Sequence, residues 1–132
     1  MIRNAFRVLL VLWAGSLWSL AAWVAPTLFY AQGDRHLAGL LAGRLFRIET
    51  YLGVAVAVIA LLLPGRSRMA GVYVAAALLA VNEWVLRRFM EAAHARGAMF
   101  GLTFGVWHGV SALLYVLACL GVLLVVWKEN FR

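Results

Sequence analysis

Acidic residues are scarce in this chain: there are five among 132, against twelve Lys and Arg. Charged residues of both signs make up only 13%, while apolar residues make up 66%. A soluble domain of this size leaves too much surface in water to hide that apolar fraction. The shortage of charge therefore excludes the ordinary soluble classes and points to an integral membrane protein in contact with the lipid bilayer. The single cysteine, Cys119, excludes an intrachain disulfide and leaves the redox compartment unread. No phosphate loop, nucleophile elbow or HExxH pattern is present, so no enzyme and no catalytic residue is assigned. There is no long linker and no low-complexity tail. The net charge of +7 does not argue for nucleic acid, because the basic residues flank apolar runs, as expected beside anionic headgroups.

What the chain does have is four long apolar runs, read as spans over residues 8–30, 38–63, 69–92 and 98–127 of a single domain covering 1–132. Each exceeds the roughly 20 residues needed to cross about 30 Å of hydrocarbon. The first follows Arg3 and Arg7 as a signal peptide would, but it is too long for one and carries Trp18 and Trp23 near its end. AQGDRHL, PGRSR and HARG are short polar connections, with Pro64 and Gly65 stopping a helix. No alternating ten-residue segments separated by turns are present, which argues against a strand barrel. The expected fold is all-α: four transmembrane helices in an antiparallel up-down-up-down bundle. Both termini then share one side with Arg3, Arg7, Arg66, Arg68, Lys128 and Arg132, against Arg35, Arg44, Arg47, Arg87, Arg88 and Arg96 on the other. The positive-inside count is a tie. The acidic residues Asp34, Glu49, Glu83 and Glu91 on the second side favour pairing of its arginines. That places the termini in the cytoplasm, with the inner (plasma) membrane of a bacterium as the expected location.

Small residues mark helix contacts in lipid, where close approach replaces the hydrophobic drive. Gly97, Gly101, Gly105 and Gly109 recur every four residues, and His108 falls in the same arc, about 20° from Gly97 at 100° per residue. Gly15, Gly43 and Gly53 sit on comparable stripes in the first two spans. These seven glycines are the expected packing positions, for a tight bundle, a second copy of the chain, or a partner membrane helix.

Ionisable groups inside a span normally face a partner, a cavity or a ligand. Glu49, Asn82, Glu83, His108 and Ser111 fall on three spans in the same half of the membrane, with Glu49 and His108 both about 15 Å from the far end. They form the candidate ligand or proton site, below a basic mouth of Arg44, Arg47, Arg87 and Arg88. Glu83 and Arg87 are spaced for an i, i+4 pair. The alternative for the carboxylates is register-fixing ion pairs with arginines, and for His108 a hydrogen bond to Ser111 or a carboxylate. His108 is also the candidate ligand if a metal is held, since imidazole is the commonest metal ligand. The residues leave the metal and the cofactor unidentified.

LWAGSLWSLAAWVAPTLF, AGRLFRIETYLG and FGVWHGVSALLYVL resemble the signature regions of the domain-of-unknown-function family 4149, the transmembrane protein 205-like family of small integral membrane proteins. The resemblance covers nearly the whole chain and implies a four-helix membrane bundle. More distantly, the chain is similar to the membrane domains of copper-resistance protein D and the J-type protoporphyrinogen oxidase, which implies metal handling or haem binding by fold analogy. The histidine that the haem-binding pattern has near the start of its first span is absent from Leu9 to Trp13. In eukaryotic members the resemblance also implies a link to resistance to a metal-containing drug.

Three function classes follow. The first is a small transporter or binding protein with an intramembrane Glu/His site, for a cation or proton at the carboxylates or an anionic group at the arginines. The second is a structural or assembly subunit that packs through its glycine faces. The third is a haem- or copper-linked membrane protein.

Overall fold

A computed structural model describes residues 1–131, without the side chains of residues 66 and 67. Arg132 and the Arg66 side chain, counted above among the terminal-side cations, lie outside the described residues. Four helices are long and apolar enough to cross a membrane: α1 (Ile2–Ala31), α2 (Arg35–Leu62), α3 (Ala70–Arg96) and α4 (Phe104–Asn130). The protein is an all-helical membrane bundle of the expected kind. α1 extends past its apolar run at both ends, α2 at its start, and α3 and α4 at their ends, while α4 begins six residues later than residue 98.

The connections follow from local chemistry. Asp34 caps α2, its Oδ1 accepting from the backbone N–H groups of His36 and Leu37 at 2.8 and 3.2 Å. Pro64 ends α2, and a 3-10 turn over Arg66–Met69 leads into α3. The third connection explains the late start of α4. Phe100 (φ 51°) and Gly101 (φ 72°) form a tight turn closed by reciprocal Met99–Leu102 backbone bonds of 2.9 and 3.0 Å. Two successive positive φ values are the geometry of a type I′ turn, which a glycine at the second central position accommodates. The turn is held by edge packing of Phe89 on Phe100, and by Trp107 Nε1 donating to Met99 O at 3.0 Å. Gly97, at φ 86°, closes α3.

The buried core lies in the half of the bundle nearest the termini. It contains Phe6, Leu10, Trp13 and Leu17 of α1, Val56 and Ala60 of α2, Val72, Ala75 and Leu79 of α3, and Tyr115, Ala118, Cys119, Val122 and Val125 of α4. Arg7 and Glu129 approach to 3.9 Å, bringing the start of α1 to the end of α4. The outward faces carry Leu12, Val58, Leu61, Leu113 and Leu124, exposed in the chain and suited to lipid tails.

Two glycines make close helix contacts. A Cβ on Gly71 of α3 would meet Val125 Cγ2 at 2.5 Å and the Gly121 carbonyl oxygen of α4 at 2.8 Å. A Cβ on Gly53 would meet Trp13 Cζ2 at 2.7 Å. Of the seven expected packing glycines, Gly53 alone has such a close contact. Gly97 and Gly101 are turn residues, which breaks the four-residue stripe. Around Gly15, Gly43 and Gly109 nothing within the chain comes within 4 Å of a built Cβ, and Gly105 meets only Thr103 Oγ1 at 3.9 Å. The stripe fails because positive φ at Gly97 and Gly101 removes those residues from the helix.

Two helices depart from α geometry in their far halves. Leu20–Val24 in α1 and Asn82–Leu86 in α3 are π-helical, with Ala25 N–H bonded to Leu20 O and Arg87 N–H to Asn82 O. Pro26 lies two residues beyond the end of the first segment and has no N–H, so the α ladder cannot continue through it unbroken. Such segments often adjoin functional sites, because they re-aim side chains without ending the helix.

Candidate functional site

The middle and far half of the bundle carry three separate polar arrangements. The first lies between α1 and α2. Glu49 is 5% exposed, and its Oε1 accepts a short hydrogen bond from Ser16 Oγ. Its Oε2 is buried with no hydrogen-bond partner. Glu49 lines a groove of about 280 Å³ with Ser16, Ser19, Leu20 and Leu45. Glu49 is fourteen residues from the start of α2 and thirteen from its end, which places it about 20 Å from either end of the helix. No arginine pairs with it among the described residues, unlike the register-pair alternative. Trp13 Nε1, one turn back along α1, is also buried without a partner.

The second arrangement is a chain of charges between α2 and α3. Arg47 Nε and Arg87 Nη1 each lie 2.7 Å from Glu83 Oε1, and Arg87 Nε lies 3.2 Å from Glu91 Oε1. The Glu83–Arg87 pair spans one turn, as its spacing predicts. Its cross-helix partner is Arg47. The Glu83 side chain is 11% exposed and the arginines 43% and 29%, so the guanidinium groups reach outward while the carboxylate stays inside. Arg44 and Arg88 are exposed on the same two helices. Neither forms an ion pair among the described residues.

The third arrangement joins α3 to α4. Asn82 Nδ2 donates to Ser111 O at 3.1 Å, and Ser111 Oγ donates to Asn82 Oδ1 at 2.6 Å. This closes a two-bond clasp at the start of the α3 π segment. Ser111→Ala removes one of its bonds and leaves Asn82 Oδ1 unpaired. The expected cost is about 0.6 kcal/mol of unfolding free energy, typical of interhelical hydrogen bonds in membranes, measured by detergent titration of the protein in bicelles.

His108 joins none of these. It is exposed and stacks on Phe104 with ring centroids 5.9 Å apart, while His94 packs edge-on against the same ring at 5.7 Å. Because α4 starts at Phe104, His108 lies in its second turn, about 6 Å along the helix, and not at the depth of Glu49. The expected convergence of Glu49, Asn82, Glu83, His108 and Ser111 therefore resolves into Glu49 with Ser16, Glu83 with two arginines, Asn82 with Ser111, and His108 apart. Among the described residues no three His, Cys, Asp or Glu are close enough to hold a metal ion.

Two contributors were not singled out from the sequence. Ser16 is one, since the small-residue stripe of α1 runs through Gly15 and Ser19. The other is the Tyr115 hydroxyl, which donates to Leu17 O at 2.7 Å while its ring meets Phe46 edge-on at 4.9 Å. Packing of Trp13 over Gly53 sets the antiparallel register that brings Ser16 opposite Glu49.

The family model described as domain of unknown function DUF4149 matches residues 8–99. The chain belongs to that family. No curated protein and no solved structure matches. The matched DUF4149 region holds Ser16, Arg47, Glu49, Asn82, Glu83 and Arg87, whereas His108, Ser111 and Tyr115 lie beyond it.

Proposed function

We propose that this DUF4149 protein is a small membrane transporter or binding protein whose working group is Glu49. The observation that carries this reading is the unpartnered, buried Oε2 of Glu49, a residue that lines a groove midway along its helix. A buried polar atom without a partner is costly, and an ionisable one within a span marks a pathway or ligand site more often than a packing position. The adjoining π segment supports the reading, since Leu20 and Val24 within it line the same groove. The Glu83 chain is a register device in this view, because both its arginines are satisfied by protein carboxylates.

The experiment is labelling with dicyclohexylcarbodiimide, a lipid-soluble reagent for protonated carboxyls, on purified protein in vesicles. One adduct at Glu49 is expected by peptide mass analysis, with none in Glu49→Gln. A water-soluble carbodiimide at the same concentration should leave Glu49 unmodified. Failure of the lipid-soluble reagent at Glu49 would make the Ser16–Glu49 contact a sealed helix clasp and remove the site.

An assembly role is the second reading, supported by the open surroundings of Gly105 and Gly109 on exposed α4 surface. A partner helix or a second copy would use that face. Among the described residues no donor cluster supports a haem or copper role. The orientation with cytoplasmic termini in a bacterial inner membrane belongs to the same proposal. It is supported by the pairing of Arg47 and Arg87 with carboxylates inside the protein at the far end.

A further inference from the structure

The composition of the groove names a ligand class, an inference that rests on Glu49 being reachable. We propose that the groove takes a protonated amine carried on an apolar body, entering sideways from the bilayer. Glu49 is the one ionisable side chain lining the groove. An anion would meet a carboxylate there and no cation. A bare divalent ion needs roughly six oxygen ligands, and the described residues bring no cluster of acidic or imidazole donors together. An ammonium N–H needs one good acceptor. Glu49 Oε2, buried beside the groove and unpartnered, becomes that acceptor when the carboxyl turns toward the ligand, and the Ser16 and Ser19 hydroxyls offer further lone pairs. A carboxylate and an ammonium together add no net charge to the membrane interior.

The rest of the lining is Leu20, Val24, Leu45, Ile48 and Leu52, which suits an alkyl or aryl body. The volume of about 280 Å³ lies just below the roughly 300–1,000 Å³ of small-molecule sites, which limits the ligand to a small one. The rim decides the route. Val24, Ile48 and Leu52 are 38%, 54% and 46% exposed on helices that span the membrane, so the mouth opens to hydrocarbon. A lipid headgroup amine is tethered at the interface, about 20 Å from Glu49, so the ligand is a free lipophilic amine.

The test adds competitors to the carbodiimide reaction at fixed pH, using the full chain in phosphatidylcholine vesicles. N,N-dimethyloctylamine is protonated near neutrality and, being tertiary, cannot capture the activated carboxyl as an amide. Octanol and octanoate match its chain without the positive charge. The amine is expected to slow Glu49 adduct formation by about tenfold, while octanol and octanoate at the same concentration leave the rate unchanged. Equal protection by octanol, better protection by octanoate, or no protection by the amine overturns the proposal while leaving Glu49 reachable. Absence of any adduct overturns the reading of Glu49 as a site, and this proposal with it.

Discussion

Replacing Glu83 with alanine is expected to lower the unfolding free energy by about 3 kcal/mol, measured by reversible detergent unfolding of the protein in bicelles. The Glu83 carboxylate accepts from Arg47 and Arg87, each at 2.7 Å, and joins α2 to α3 within the membrane. Removing one partner of a buried pair costs roughly 3–5 kcal/mol, because the remaining charge is left uncompensated. The arginines are partly exposed and long enough to turn toward the headgroups, which places the cost at the low end. Glu91, the outer member of the chain, is 67% exposed. Glu91→Ala should therefore stay within about 0.5 kcal/mol of the parent, as surface pairs do. Equal effects of the two variants would contradict the assignment of Glu83 as the link between helices. Arg47→Gln combined with Glu83→Gln should recover part of the loss, since neutralising both members leaves no orphan charge between them.

Gly71→Leu is expected to cost about 3 kcal/mol by the same titration, whereas Gly109→Leu should cost under about 0.5 kcal/mol. The Gly71 Cβ position lies 2.8 Å from a backbone oxygen, Gly121 O, and 2.5 Å from Val125 Cγ2. Valine can shift its rotamer, but the carbonyl belongs to the α4 ladder and cannot turn away. The helices must separate, which unpacks Val72 and Ala75 from Val122 and Val125. Forced overpacking of this kind costs about 1–3 kcal/mol or more. Nothing in the chain lies within 4 Å of a Cβ on Gly109. A large loss there would instead reveal a second copy or partner helix against that face, and would favour the assembly reading.

The gross architecture was legible because lipid imposes few options. Runs of apolar residues longer than a bilayer, separated by short polar connections, leave little besides an antiparallel bundle. Pro26 announced an interrupted backbone in α1, and a π segment precedes it. Glu83 and Arg87 announced their pair by spacing. The fourth glycine run misled because glycine serves two ends. In GAMFGLTFGVWHG it supplies positive φ at Gly97 and Gly101 before it supplies helix at Gly105 and Gly109, and periodicity alone does not separate these uses. Moving the start of α4 by one turn or more also carried His108 out of the expected cluster. The Ser16–Glu49 contact was hidden for a different reason: it depends on the α1–α2 register, which Trp13 over Gly53 sets, and no repeat in either helix reports that register.

The claim at the centre is that the α1–α2 groove beside Glu49 opens to the bilayer. Ser19 lines the groove and is exposed. Cys119, the native cysteine, is buried, so a nitroxide can be placed at Ser19→Cys without competing label. Its collision rates with dissolved oxygen and with a water-soluble nickel chelate, measured in vesicles, report what fills the mouth. The groove reading predicts high oxygen and low nickel access, matching a nitroxide at the lipid-facing Trp23 position, which is 72% exposed. Low access to both reagents, or high access to nickel, would contradict a lipid-open groove.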